Sequence, residues 1–149
     1  MTVEVHLARH ATTELVDALN HLVPQLSTSA TLLTWDDVVE LVESPATQLL
    51  VATSDGATVG TLTLVIFSIP SGRRAWIEDV IVDEASRGHG VGEALTAAAL
   101  DEARRRGVRT VDLTSRPSRI AANALYQKLG FASRETNVYR YFLDSGHPA

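Results

Sequence analysis

The sequence predicts an α/β chain of the α+β type, with a mixed, largely antiparallel sheet and helices on its faces. Three observations point there. Apolar residues recur with a period of two in some stretches and about 3.6 in others, and glycine or proline marks the switches. At 149 residues and 45% hydrophobic content, the chain can fill one core comfortably but not two. A single domain over residues 1–149 is therefore expected.

Thr2 to Ala8 alternates as a strand does, and Thr12 or Thr13 caps a helix whose Leu15, Leu19 and Leu22 keep helical spacing until Pro24 is expected to stop it. Thr34 with Asp37 resembles a capping box and opens a short helix through Leu41, ending before Pro45. Gln48 to Thr53 and Thr58 to Phe67 are β-rich runs joined by Ser54-Asp55-Gly56, a strong hairpin turn. Pro70-Ser71-Gly72 makes the next turn, and Arg74 to Val82 the next strand. Val91, Leu95, Ala98 and Ala99 put an apolar stripe on a long helix that Gly107 terminates. Arg109 to Thr114 follows as a strand. Pro117 and Ser118 open a helix reaching Leu129, with the stripe Ala121, Leu125 and Leu129 turned to the core, and Gly130 closes it. Two last strands are expected at 131–134 and 137–143. No repeat, low-complexity tract or linker interrupts this order.

Composition removes several classes. A formal charge of −5 and a pI near 5.5 oppose a general nucleic-acid binder, which needs a basic face to neutralise phosphates. The run Arg104-Arg105-Arg106 sits at a helix end, where cations complement the dipole. With no cysteine, disulfides, thiolate metal sites and an acyl-cysteine intermediate are excluded. His6, His10, His21, His89 and His147 lack metal-ligand spacing, so no metal is expected. Neither a leader peptide nor a run of about 20 apolar residues is present, so no membrane association and a cytoplasmic location are expected. A homodimer is compatible with all of this.

The most informative stretch is Val80-Ile-Val-Asp-Glu-Ala-Ser-Arg-Gly-His-Gly-Val-Gly-Glu-Ala-Leu95, a β-branched strand running through a glycine-rich turn into a helix. Gly88, Gly90 and Gly92 allow a tight turn that brings N–H groups of the helix start close to an anion such as a pyrophosphate. A dinucleotide fingerprint would put a third glycine where Glu93 stands, and a Walker loop would put a lysine after Gly92, where there is none. What remains is Arg87-x-x-Gly90-x-Gly92, or an ordinary glycine-softened turn.

That spacing resembles the R/Q-x-x-G-x-G/A signature of the Gcn5-related N-acetyltransferases (GNAT). A second segment, Asn123 followed by Tyr126-x-x-x-Gly130-Phe131, resembles the family's late motif at the right distance downstream. The resemblance runs from about Val59 to Phe142 and implies a GNAT-like fold with acetyl-CoA as acyl donor. It further implies that the backbone of Val80, Ile81 and Val82 pairs with the pantetheine arm. Arg87, Gly88, His89, Gly90, Val91, Gly92 and Glu93 would hold the pyrophosphate. Asn123 would contact pantetheine or bound water, and Tyr126 would lie near the sulfur. The first forty-odd residues match only in element order.

Acetyl transfer needs a neutral amine, a polarised thioester and a proton for the departing thiolate. Glu78 or Asp79 can take the amine's proton, and since successive strand residues face opposite ways only one lines a pocket unless the strand bulges. Glu78 is favoured, and Ile77-Glu78-Asp79-Val80 resembles the strand of family members in which a Glu at this place is the base. An N–H near Ile81 or Val82 would steady the developing oxyanion. Tyr126, with an ordinary pKa of about 10, can protonate the thiolate. Without cysteine, direct transfer in a ternary complex to a primary amine of a small molecule is expected. Alternatives are a protein lysine or N-terminal acetyltransferase and a non-catalytic acyl-CoA-binding regulator. Arg73, Arg74, Arg116 and Arg119 are candidates to bind an anionic group of the acceptor, or, for Arg119, the coenzyme phosphates.

Overall fold

The computed structural model describes residues 1–144 as two compact units, 1–116 and 117–144. The first carries a five-stranded sheet in the order β1-β2-β3-β4-β5, formed by Glu4–Leu7, Thr47–Ser54, Ala57–Ile69, Gly72–Val82 and Thr110–Asp112. The first four strands run antiparallel and β5 joins β4 in parallel, as expected of a mixed, largely antiparallel sheet. Helices α1 (Thr13–Leu26) and α2 (Trp35–Glu43) pack against the sheet through a cluster joining Leu15, Leu19 and Val38 to Leu49 and Val51 of β2. Helix α3 (Val91–Arg105) packs on β3 and β2, and because strand residues alternate, a backbone that turns Leu49 and Val51 to one side turns Leu50 and Ala52 to the other.

Local chemistry explains most boundaries. Thr12 accepts the Leu15 N–H at 3.0 Å, and Thr34 with Asp37 completes the expected capping box. Asp55 and Gly56, at φ 51° and 78°, form the two-residue hairpin turn whose twist matches its strands. Gly107 ends α3 in a left-handed conformation at φ 71°, with Val108 N–H donating to Ala103 O and Gly107 N–H to Arg104 O.

Four expectations are met in part or not at all, for identifiable reasons. Pro24 does not stop α1, which runs on to Leu26. A proline in the last turn removes one internal hydrogen bond, and the turn is held instead by Ser27 N–H on Val23 O and by Gln25, whose side chain bonds to Asp83 and to the Glu84 N–H. The second unit begins its helix α4 at Ile120, since residues 117–119 form a turn first, and the helix extends to Lys128. On α4 Tyr126 is buried, Leu125 and Leu129 are half-buried and Ala121 is exposed, so the expected apolar stripe is only partly covered. The two final strands do not form among the described residues. Tyr139 is 88% and Leu143 94% exposed, and β-prone side chains favour a strand only where a pleated, half-buried surface receives them.

Candidate active site

The site grows out of an irregularity in β4. Thr61 of β3 pairs with Ile81 and Thr63 with Glu78, so one residue on β3 faces two, Asp79 and Val80, on β4. This is a β-bulge, and Asp79 sits in it at φ 45°, a left-handed conformation that costs a non-glycine residue on the order of 1–3 kcal/mol. The extra residue resets the alternation, so Glu78, Asp79 and Ile81 all line one cavity of about 320 Å³. Both carboxylates therefore reach the same space. Thr61, Thr63 and Leu49 form its floor, and Leu19 and Val23 of α1 with Asp37 and Leu41 of α2 complete its walls. A larger hollow, about 590 Å³, is lined by five consecutive exposed residues, Arg140 to Asp144, and gathers no groups from separate elements.

The backbone around the bulge is equally telling. Strand β4 pairs with β5 only from Arg74 to Trp76, yet it continues to Val82, and no other strand among the described residues adjoins that edge. Val80, Ile81 and Val82 thus lie on a strand segment with one open edge, a template for an extended, hydrogen-bonding chain. Beyond it come a short 3-10 turn, Glu84–Ser86, and then the glycine-rich turn. Gly88 and Gly90 adopt φ 81° and 80°, conformations that ask for glycine. Nothing lies within 4 Å of a Cβ built at either position, so the space beside both is open. Gly90 is the N-cap of α3 and supplies no side-chain cap, so the first-turn amides have no acceptor inside the helix before Ala94 N–H meets Gly90 O. Arg87, Gly88, His89 and Gly90 are exposed, Gly92 and Glu93 half-buried, and Val91 buried, so Val91 offers its backbone but not its side chain.

In the second unit Asn123 is half-buried and Tyr126 buried. Burial pushes the Tyr126 phenol above its ordinary pKa, only partly offset by the Arg119 charge, so it is a neutral O–H at neutral pH. Its ring meets Phe131 edge-on at 5.8 Å, and Phe131 N–H donates to Tyr126 O while Gly130 N–H donates to Gln127 O. The late motif is thus a helix-ending clasp that fixes Tyr126.

Arg73 and Arg74 do not belong to the cavity. They occupy the first turn of β4, where Arg74 pairs with Thr110 and Arg73 donates to Arg106 O at 2.7 Å, five or six residues before Asp79 along an extended strand. No group of three or more His, Cys, Asp or Glu side chains among the described residues is placed to hold a metal, and no described helix is long and apolar enough to cross a membrane.

Two residues matter here that the sequence reading did not single out. Gly60 on β3 lies under the α3 N-terminus: a Cβ there would stand 2.8 Å from Ile81 O and 2.9 Å from Val91 Cγ1. A glycine inside a strand signals such close approach. Gln25 ties the end of α1 to the segment leading into the glycine-rich turn, donating to Asp83 Oδ1 at 3.2 Å and accepting from Glu84 N–H at 3.0 Å. That amide, more than the nearby His21, holds the Asp83 carboxyl below its usual range against the opposing effect of burial.

Comparison with known proteins agrees with this geometry. The family described as acetyltransferase (GNAT) matches residues 12–131. Over 71 residues the chain is 35% identical to glucosamine 6-phosphate N-acetyltransferase 1 of Oryza sativa subsp. japonica, covering 48% of this chain and 41% of that protein. It is 34% identical over 71 residues to N-alpha-acetyltransferase 30 of Schizosaccharomyces pombe, covering 48% of this chain and 47% of that one. The matched segment thus spans less than half the length of these curated relatives. Among solved structures, a putative acetyltransferase from Agrobacterium tumefaciens superposes with a TM-score of 0.82 at 25% identity, over 93% of this chain and 99% of that one. The chain belongs to the acetyltransferase (GNAT) family.

Proposed function

We propose that this chain is an acetyl-CoA-dependent N-acetyltransferase that moves an acetyl group directly to a primary amine of a small molecule in a ternary complex. The observation that carries the reading is the departure of β4 from β5 after Trp76, which leaves an open strand edge running straight into the glycine turn and the α3 N-terminus. An acyl-pantetheine has amides to pair with such an edge and a pyrophosphate to sit at such a helix start. The residues present fit the donor. Val80, Ile81 and Val82 supply the edge, Arg87 and the backbone of Gly88 to Glu93 the anion site, and Asn123 a further polar contact.

In the transfer, a C–N bond forms between the amine and the acetyl carbonyl carbon while the C–S bond breaks. The ammonium proton leaves to Glu78, directly or through water, before attack. A main-chain N–H near Ile81 or Val82 stabilises the charge developing on the thioester oxygen, an effect typically on the order of 10²–10³ in rate. Tyr126 donates its proton to the departing thiolate and, as a phenolate, recovers one from the newly bonded nitrogen, so that a neutral amide and a free thiol leave; the burial that raises its pKa keeps the proton on Tyr126 until then. A cavity of about 320 Å³ behind the two carboxylates suits a small acceptor.

Glu78→Gln tests the assignment. Thiol release from acetyl-CoA in the presence of amines should fall at neutral pH and recover toward alkaline pH, where free amine is abundant. An unaltered pH profile would place the base elsewhere.

A further inference from the structure

The charged residues that line the acceptor cavity all have one sign. Asp37 enters from α2, Glu78 and Asp79 from the bulge of β4, and no Lys, Arg or His is among the lining residues. Between Asp37 and the bulge the walls are aliphatic: Leu19 and Val23 from α1, and Leu41 from α2. Asp37 is fixed in place by the capping box, where its carboxylate accepts the Thr34 N–H at 2.8 Å. The same hydrogen bonds hold its carboxyl below the usual carboxylate range, so it is an anion at neutral pH. Thr61 and Thr63 add two hydroxyl-bearing residues to the lining.

Resting on the function proposed above, we infer that the acceptor is a dication: a primary amine placed at Glu78, an aliphatic spacer along the leucine and valine walls, and a second protonated nitrogen held toward Asp37. Acceptors bearing a phosphate, phosphonate or carboxylate are disfavoured, because their anion would enter a cavity that offers it three carboxylates and no cation. Of the four arginines expected to be candidates for such a group, Arg73 and Arg74 lie at the opposite end of β4, and none of the four is among the cavity's lining residues.

A matched series tests this: diaminobutane, butylamine and aminobutanoic acid, which keep the reacting amine and make the distal group positive, neutral or negative. With the full chain and saturating acetyl-CoA, kcat/KM should fall at least about tenfold from diamine to monoamine and further to the amino acid, tenfold being about 1.4 kcal/mol. The diamine preference should shrink with added salt. Asp37→Asn keeps an oxygen for the Thr34 N–H and should bring the diamine-to-butylamine ratio close to one. Butylamine or aminobutanoic acid matching the diamine, or an unchanged ratio in Asp37→Asn, would overturn the inference while leaving amine acetylation intact. Coenzyme binding without thiol release on any amine would instead remove the catalytic reading, and this inference with it.

Discussion

Replacing Gly60 by Ala probes how tightly the N-terminus of α3 is seated on the sheet. The backbone at Gly60 is not left-handed, so alanine introduces no conformational strain and the effect is purely one of space. A Cβ would meet Ile81 O at 2.8 Å, Val91 Cγ1 at 2.9 Å and Leu95 Cδ1 at 3.2 Å. Ordinary contact is about 3.5–4.0 Å, so strand and helix must part by roughly half an ångström or more. Overpacking of this kind costs about 1–3 kcal/mol, more than the roughly 0.4–1 kcal/mol that alanine returns by restricting the unfolded chain. At about 2–4 °C per kcal/mol for a chain near this size, the net change is a Tm lowered by several degrees in a thermal melt. Because the displaced groups are the Ile81 carbonyl and the first residue of α3, CoA affinity should fall in the same variant. Adding Val91→Ala should restore only part of the loss, since the carbonyl contact remains. An unchanged or higher Tm together with unchanged CoA affinity would refute the reasoning.

Tyr126→Phe retains the ring that packs on Phe131 and removes only the hydroxyl, so stability should hold while kcat falls about 10²-fold or more, with CoA affinity altered far less. Steady-state kinetics beside calorimetry separate these, and unchanged kcat would end the acid assignment. In the wild type the raised phenol pKa means that an alkaline loss of activity from this group should set in at higher pH than for a solvent-exposed tyrosine, which a pH profile of kcat checks. At the other end of α3, burial works against the Glu102 carboxylate, yet its bonds to Arg105 Nη2 at 2.6 Å and Arg106 Nε at 2.7 Å hold its pKa below the usual range. A depressed carboxylate adds stability that is present above about pH 4.3 and is lost as pH falls through the lower folded value. Glu102→Gln should therefore lower the unfolding free energy near pH 7 by about 1 kcal/mol, read from urea unfolding, and flatten the acid limb of stability; a parallel pair of curves would contradict this.

What could be read from the chain was whatever a single residue's conformational demand dictates. Gly88 and Gly90 announced a left-handed turn, Asp55-Gly56 a hairpin, Thr34 with Asp37 a cap, and each stands where expected. The bulge was foreseen only as a condition for both carboxylates to face one space. Its location depends on the register of β3 against β4, which no local pattern of Ile77 to Val82 encodes. Gly60 is meaningful only once α3 is laid across β3, and part of what holds the turn around Pro24 is the bonding of Gln25 to partners more than fifty residues away. The expected strands near the C-terminus failed for the same reason in reverse: Val138, Tyr139 and Tyr141 have the propensity, but no pleated surface receives them among the described residues.

The central claim is that main-chain amides at the start of α3 and along the open edge of β4 grip the pyrophosphate and pantetheine of CoA. Titration calorimetry of the full chain with CoA tests it most directly, run beside Gly90→Val, whose β-branched side chain is forced to φ near 80° and into the open side of the turn. The account predicts saturable heat and a raised Tm for the wild type, both lost in the variant. No heat and no stabilisation at saturating CoA, or equally tight binding by Gly90→Val, would contradict it.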